Sequence, residues 1–173
     1  MTGKPETQTW SGGCQCGAVR YRMLARPSGA HLCHCRMCQK HFGNFFSALV
    51  EIPKDKFRLT HGKISTFESS DEVYRGFCKS CGTPLSLDAA KESKFYIAIG
   101  TMDNYSEFAP QAQFGMESRH DFVQHLHELP AYVSGHDEKG ATEFSKLLPG
   151  IKASNHQHPD QDTKDWPLPP EKE

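Results

Sequence analysis

The chain is built from short apolar runs rather than from long periodic ones. Ala18–Leu24 alternates, with Val19, Tyr21 and Met23 on one side of a pleat and Arg20 and Arg22 on the other. A denser run, Phe45–Ile52, stops at Pro53, and Lys56–Gly62 follows it to a glycine. Three more short runs are Val73–Cys78, Thr83–Leu87 and Lys94–Gly100, the last rich in Tyr96, Ile97 and Ile99. Runs of this length, punctuated by Gly, Pro and Asp, predict antiparallel strands, so the fold class is mainly β with little helix. One short helix is predicted over Ala141–Pro149, with Thr142 as its cap.

Both ends break the pattern. Residues 1–9 are polar, and residues 151–173 are rich in Pro, His and charge. Neither can bury enough apolar surface to offset its ordering entropy. A disordered lead (1–9) and a disordered tail (151–173) are therefore expected around one domain, 10–150. His156 and His158 are read as solvated tail residues rather than as metal ligands.

The total of 173 residues suits one domain with one core. A net charge of -1 and a pI near 6.8 supply no basic field for nucleic acid or an anionic membrane. No apolar run approaches the ~20 residues of a membrane span. The N-terminus lacks the apolar stretch of a signal peptide. A cytoplasmic protein is expected, with small molecules as partners. Exposed sheet edges are compatible with a homodimer.

Chemistry is concentrated in the seven cysteines, Cys14, Cys16, Cys33, Cys35, Cys38, Cys78 and Cys81. An odd number cannot pair completely within one chain, and their clustering favours metal thiolates over disulfides. Cys14 and Cys16, two residues apart, face one side of an extended segment. Cys78 and Cys81 form a Cys-x-x-Cys-Gly turn in which Gly82 suits positive φ. Together these pairs make a four-cysteine site, the closed structural type of zinc centre. A redox pair at Cys78 and Cys81 is the rival, disfavoured because Pro84 and a strand pattern follow where a helix would be required.

Cys33, Cys35 and Cys38 are then left as three ligands, the number that leaves a zinc ion one open position. A structural site closed by His31, His34 or His41 is the bland alternative. Sharing of a metal between Cys14, Cys16 and the middle cluster is also allowed by count. An open zinc would hold a bound thiol as thiolate and present its sulfur to a carbonyl carbon. Arg20, Arg36, Lys40 and Arg75 are candidates to hold the carboxylates of an acidic thiol, each competing with a solvated surface role. The three histidines are candidate general bases.

The stretches Gly12–Tyr21, Cys33–Gly43 and Phe77–Leu85, with Gly100–Asn104, resemble the glutathione-dependent formaldehyde-activating enzyme family, which includes centromere protein V-like proteins. The resemblance covers roughly residues 10–135. A weaker match, Met116–Tyr132, corresponds to a late strand and a Pro-containing close. It implies a beta-tent fold of small antiparallel sheets packed around zinc. By position it implies two zinc ions per chain: Cys14, Cys16, Cys78 and Cys81 hold the structural one; Cys33, Cys35 and Cys38 hold the open, catalytic one. It implies a carbon–sulfur lyase of the S-(hydroxymethyl)glutathione synthase type, with glutathione as co-substrate and a small aldehyde as electrophile. The other function it implies is a non-catalytic zinc scaffold or interaction protein of the centromere protein V type.

Overall fold

The computed structural model describes residues 8–132 and 143–166. The chain divides into two compact units. One runs to Arg119 and resumes at Gln157, and the other is His120–His156.

Among the described residues the first unit carries all the strands. A three-stranded sheet is formed by β1 (Trp10–Gly13), β2 (Arg20–Met23) and β5 (Phe57–His61), in the order β1-β2-β5. A seven-stranded sheet is formed by β3 (Ser28–Cys33), β4 (Ser47–Pro53), β6 (Ser65–Ser70), β7 (Val73–Phe77), β8 (Pro84–Ala89), β9 (Lys94–Ala98) and β10 (Ala112–Phe114). Its order is β10-β3-β4-β9-β8-β7-β6. Each of the six predicted apolar runs contains a strand, and burial alternates most clearly along β2 and β4, whereas β5 is largely exposed and is held by its pairing with β2. Tyr21 and Met23 on β2, Val50 and Ile52 on β4, Leu85 on β8 and Ile97 on β9 form the core with Trp10 and Met102.

The mainly β reading holds, with two departures. The β10–β3 pair is parallel rather than antiparallel. A helix, α1 (Arg36–Phe42), starts inside the middle cysteine cluster. Its N-cap is Cys35, and Gly43 closes it in the left-handed conformation.

The Gly100–Asn104 stretch fastens β1 and β2. The Asp103 carboxylate accepts from Arg20 at 2.9 and 2.5 Å and from the Ser11 hydroxyl at 2.5 Å. The Tyr21 hydroxyl donates to Thr101 at 2.9 Å, and Thr101 donates onward to the Ala98 carbonyl.

The stretch expected to be an unfolded tail is folded in part. His158 is buried, and its backbone N–H donates to Gln15 O at 2.7 Å. Trp166 Nε1 donates to Cys16 O at 2.9 Å and its ring meets His158 edge-on. Asp162 bridges Arg20 and Arg22 at 2.9 and 2.7 Å. A polar segment is ordered here because its polar groups find partners: His158 Nδ1–H donates to Pro159 O, and Nε2 accepts from Thr163. Residues 1–7 and 167–173 lie outside the described residues.

The second unit contains a 3-10 segment, Asp121–Glu128, and a helix, α2 (Glu143–Ala153). The late strand implied by the resemblance is absent among the described residues, since Met116–Ser118 and Asp121–Glu128 are both 3-10 turns. Phe122 and Leu126 are four apart, a helical rather than an alternating spacing. α2 runs past Pro149, which was expected to end it. The predicted cap Thr142 lies outside the described residues. No helix among the described residues is long and apolar enough to cross a membrane.

Candidate metal centres

The seven cysteines converge as two groups. Cys14 and Cys16 lie in the turn between β1 and β2, and Cys78 and Cys81 in the turn between β7 and β8. Their four sulfurs all lie within 4.8 Å of one another. Cys14 Sγ is 3.6 Å from Cys16 Sγ, which is 4.0 Å from Cys78 Sγ. A tetrahedron with metal–sulfur bonds of 2.3 Å has edges of about 3.8 Å, so the donor set fits zinc.

Backbone groups shape both turns. Val19 N–H donates to Cys14 Sγ at 3.2 Å. Cys78 N–H donates to Thr83 O, and Gly82 N–H to Cys78 O, both at 2.9 Å. Gly82 has φ 76, the positive angle its place in the turn predicts. Burial pushes the Cys14 thiol up. Burial also acts to raise Cys81, but hydrogen bonds from the Thr83 side chain and backbone outweigh it and hold the thiol at about 6. A strand follows Cys81, and the four sulfurs meet. That is not the strand-to-helix setting of a redox pair.

Cys33 ends β3, Cys35 caps α1 and Cys38 sits in the first turn of α1. Their sulfurs also lie within 4.8 Å of one another. Cys38 N–H donates to Cys35 Sγ at 3.4 Å. The neighbouring loop is fitted against Cys35 by Gly115, whose φ is 67. Any Cβ there would fall 2.6 Å from Cys35 N. Cys33 and Cys38 share protons unequally. The hydrogen bond from Cys33 is the main reason that the Cys38 thiol is held at about 4, against burial and with help from Cys35, Ser47 and Arg75. The same bond pushes Cys33 up.

Among the described residues no histidine nitrogen joins this sulfur group. His31 Nδ1–H donates to Gly29 O, and its ring packs edge-on against Tyr96 and Phe114. His34 is fully buried, with Nε2–H donating to Gln113 Oε1 at 2.9 Å. His41 has a buried Nε2 with no partner and lies in a pocket wall.

That pocket, of about 530 Å³, is bounded by α1, β7 and the turn after Cys81. Arg36, Lys40 and Arg75 give it three cations, with no carboxylate among the lining residues. Met37, Phe67 and Phe77 supply an apolar wall. Arg36 and Lys40 share a face of α1 because they are four residues apart. Arg75 links pocket and sulfurs: its two terminal nitrogens lie 3.7 and 3.8 Å from Cys38 Sγ. Arg20, the remaining candidate cation, is instead committed to Asp103 and Asp162. Nothing in the residue pattern marks Arg75 as buried or Gly115 as necessarily small. Both follow from strand pairing and loop packing.

These features define a β protein built around two sulfur groups able to hold metal, one with four donors and one with three. The chain belongs to the glutathione-dependent formaldehyde-activating enzyme family, whose pattern matches residues 9–118 and so includes every cysteine. Two curated relatives are provisionally named glutathione-dependent formaldehyde-activating enzymes. The one from Podospora anserina is 30% identical over 99 residues, 53% of this chain and 46% of the relative. The one from Colletotrichum graminicola is 30% identical over 83 residues, 44% of each. The chain thus matches about half the length of these relatives. A crystal structure of a Rhodobacter sphaeroides protein gives a TM-score of 0.49 at 17% identity, over 60% of this chain and 98% of that one. That likeness is too slight to add to the reading.

Proposed function

We propose that the protein joins glutathione and formaldehyde, or a similar thiol and small aldehyde, and cleaves the adduct in reverse as a carbon–sulfur lyase. Two zinc ions per chain are part of this reading. Cys14, Cys16, Cys78 and Cys81 hold the structural ion, and Cys33, Cys35 and Cys38 hold the catalytic one. One observation carries the proposal: a sulfur group with three protein donors adjoins a pocket with three cations and no carboxylate. A ligand set one short leaves room for a substrate sulfur.

A metal ion held by the three thiolates would favour the thiolate form of an incoming thiol. The chain's own residues supply the rest. Arg36 and Lys40 offer charge to the carboxylates of glutathione. Phe67 and Phe77 add apolar surface to the same lining. In the forward direction a sulfur–carbon bond forms and the carbonyl π pair moves onto oxygen. The proton lost from sulfur ends on the new hydroxyl. His41 is the histidine of the pocket wall, and burial, with Arg75 beside it, holds its pKa below the usual imidazole value. It is therefore neutral at physiological pH and able to take that proton and return it.

The test is formaldehyde–glutathione exchange followed by NMR on zinc-loaded protein, with Cys35→Ser alongside. Serine keeps the N-cap of α1, so the variant loses a metal ligand and not the helix start. The expected result is acceleration over the uncatalysed rate by wild type and none by the variant. Equal exchange with and without protein, at two bound zinc ions, would overturn the enzyme reading in favour of a metal-stabilised interaction protein.

A further inference from the structure

A buried guanidinium touches the three-cysteine group. Arg75 lies on β7, between β6 and β8, and is 2% exposed. Two residues before Phe77, it faces the same side of the strand, and both line the pocket. Its Nε donates to Ser69 Oγ at 3.0 Å, and Nη1 and Nη2 fork onto Cys38 Sγ at 3.7 and 3.8 Å. Among the described residues it forms no ion pair with a carboxylate. Arginine does not lose its proton in proteins, so a cation buried this deeply requires a negative partner. The partner the geometry offers is sulfur.

Charge counting gives the pairing a purpose. A divalent ion on three thiolates leaves one negative charge in excess, and a substrate thiolate raises the excess to two. Such charge within the protein is costly unless a fixed cation offsets it. We propose that Arg75 is the counter-cation of the three-cysteine centre, positioning Cys38 and balancing the charge that a thiolate substrate brings. The inference rests on the reading of this group as a metal site open to a thiol. Arg75 is a positioning residue: it acts on the reacting sulfur through Cys38 and through charge. Arg36 and Lys40, on the rim of the same pocket, are left to meet the carboxylates of the substrate.

The experiment uses full-length protein loaded with cobalt(II), whose sulfur charge-transfer and ligand-field bands report both centres. Wild type, Arg75→Met and Arg75→Lys are titrated with a chromophoric chelator, and then with glutathione without aldehyde. Removal of an outer partner of a metal ligand typically weakens retention by about 10–100-fold. Arg75→Met is expected to lose metal from the three-cysteine centre by that factor and to bind glutathione correspondingly less well, while the four-cysteine bands are unchanged. Arg75→Lys keeps the charge and loses the fork, and is expected to recover part of both losses. Arg75→Gln, a neutral polar variant, takes the place of Arg75→Met if that protein does not fold.

Unchanged retention and glutathione affinity in the neutral variant would overturn the proposal. So would a lysine variant no better than the neutral one, since packing rather than charge would then be at work. Neither readout needs turnover. Wild type that binds glutathione at the metal but fails to accelerate adduct exchange would sink the lyase reading and leave the role of Arg75 standing.

Discussion

The two sulfur groups use the same ligand chemistry in opposite surroundings. The four-cysteine group is built from two turns that join neighbouring strands. Cys14, Cys16 and Cys78 are buried, backbone N–H and hydroxyl groups bond the sulfurs, and the segment around His158 and Trp166 packs against the first turn. The three-cysteine group lies where β3 passes into α1. It has a guanidinium as neighbour and a cationic pocket alongside. Donor number sets what each could do: four thiolates would complete a tetrahedral ion, and three would leave it one position. What differs around them is the charge at hand, since the three-cysteine group has Arg75 against Cys38 and, through it, a pocket with three cations.

The strongest test of that contrast is one cysteine from each group. On the two-zinc reading Cys78→Ser removes a buried ligand from the four-cysteine group, and structural zinc contributes about 10–16 kcal/mol in small domains. The expected loss of stability is about 5 kcal/mol or more, seen as loss of a cooperative thermal transition. Cys35→Ser is expected to leave that transition within a few degrees of wild type and to bind one zinc fewer per chain by elemental analysis. Equal damage from both would mean that the two groups are structural alike.

The three cysteine clusters were legible from spacing because cysteines two and three residues apart make local turns whatever the fold, while the meeting of Cys14 and Cys16 with Cys78 and Cys81 depends on how distant strands pack. The core strands were legible for a similar reason, since Tyr21, Met23, Val50, Ile52 and Ile97 alternate as one-sided burial requires. What escaped is what depends on partners distant in sequence. β6, Ser65–Ser70, is polar and largely exposed, and only its pairing with β7 makes it a strand. α1 has seven residues and an unusual cap in Cys35, so no periodic pattern announces it. Arg75 in isolation has the composition of a surface residue, and β6 and β8 on either side of it bury it. The tail carried one visible hint, Trp166, an aromatic in a polar stretch. Its partner, the Cys16 carbonyl, lies 150 positions away.

The contact of that tail with the closed group sharpens the comparison. Trp166→Ala deletes the bond to Cys16 O and the edge contact with His158. The ring is only half-buried, so the expected cost is about 1–2 kcal/mol. Zinc release to a chelator from wild type is expected in two phases, the fast one from the three-cysteine group. Trp166→Ala is expected to quicken the slow phase by about tenfold and leave the fast phase alone. A variant that quickens both equally would show general loosening rather than a contact specific to the closed group.

The smallest effect concerns how the tail is held, and its dependence on pH separates it from the metal ligands. Burial acts to raise the Asp162 carboxyl, but hydrogen bonds from Arg20 and Arg22 outweigh it and bring the folded value below the ordinary 3.8. The folded carboxyl is thus the stronger acid, and its ionisation favours the docked tail. That gain is complete above about 3.8 and is lost as pH falls through the lower folded value. Asp162→Asn lacks it at every pH. Because the carboxyl is partly exposed, the difference is about 0.5 kcal/mol, read as faster proteolysis of the tail in the variant. The gap between the two proteins is expected to stay constant from pH 8 to about 5 and to close below about 4. Acid also protonates thiolates and releases zinc, which would free the tail in both proteins together. A gap that closed in step with zinc release would make the cysteines, not Asp162, the control on the tail. It would also reduce the bridging of Arg20 and Arg22 by Asp162 to a consequence of the four-cysteine centre.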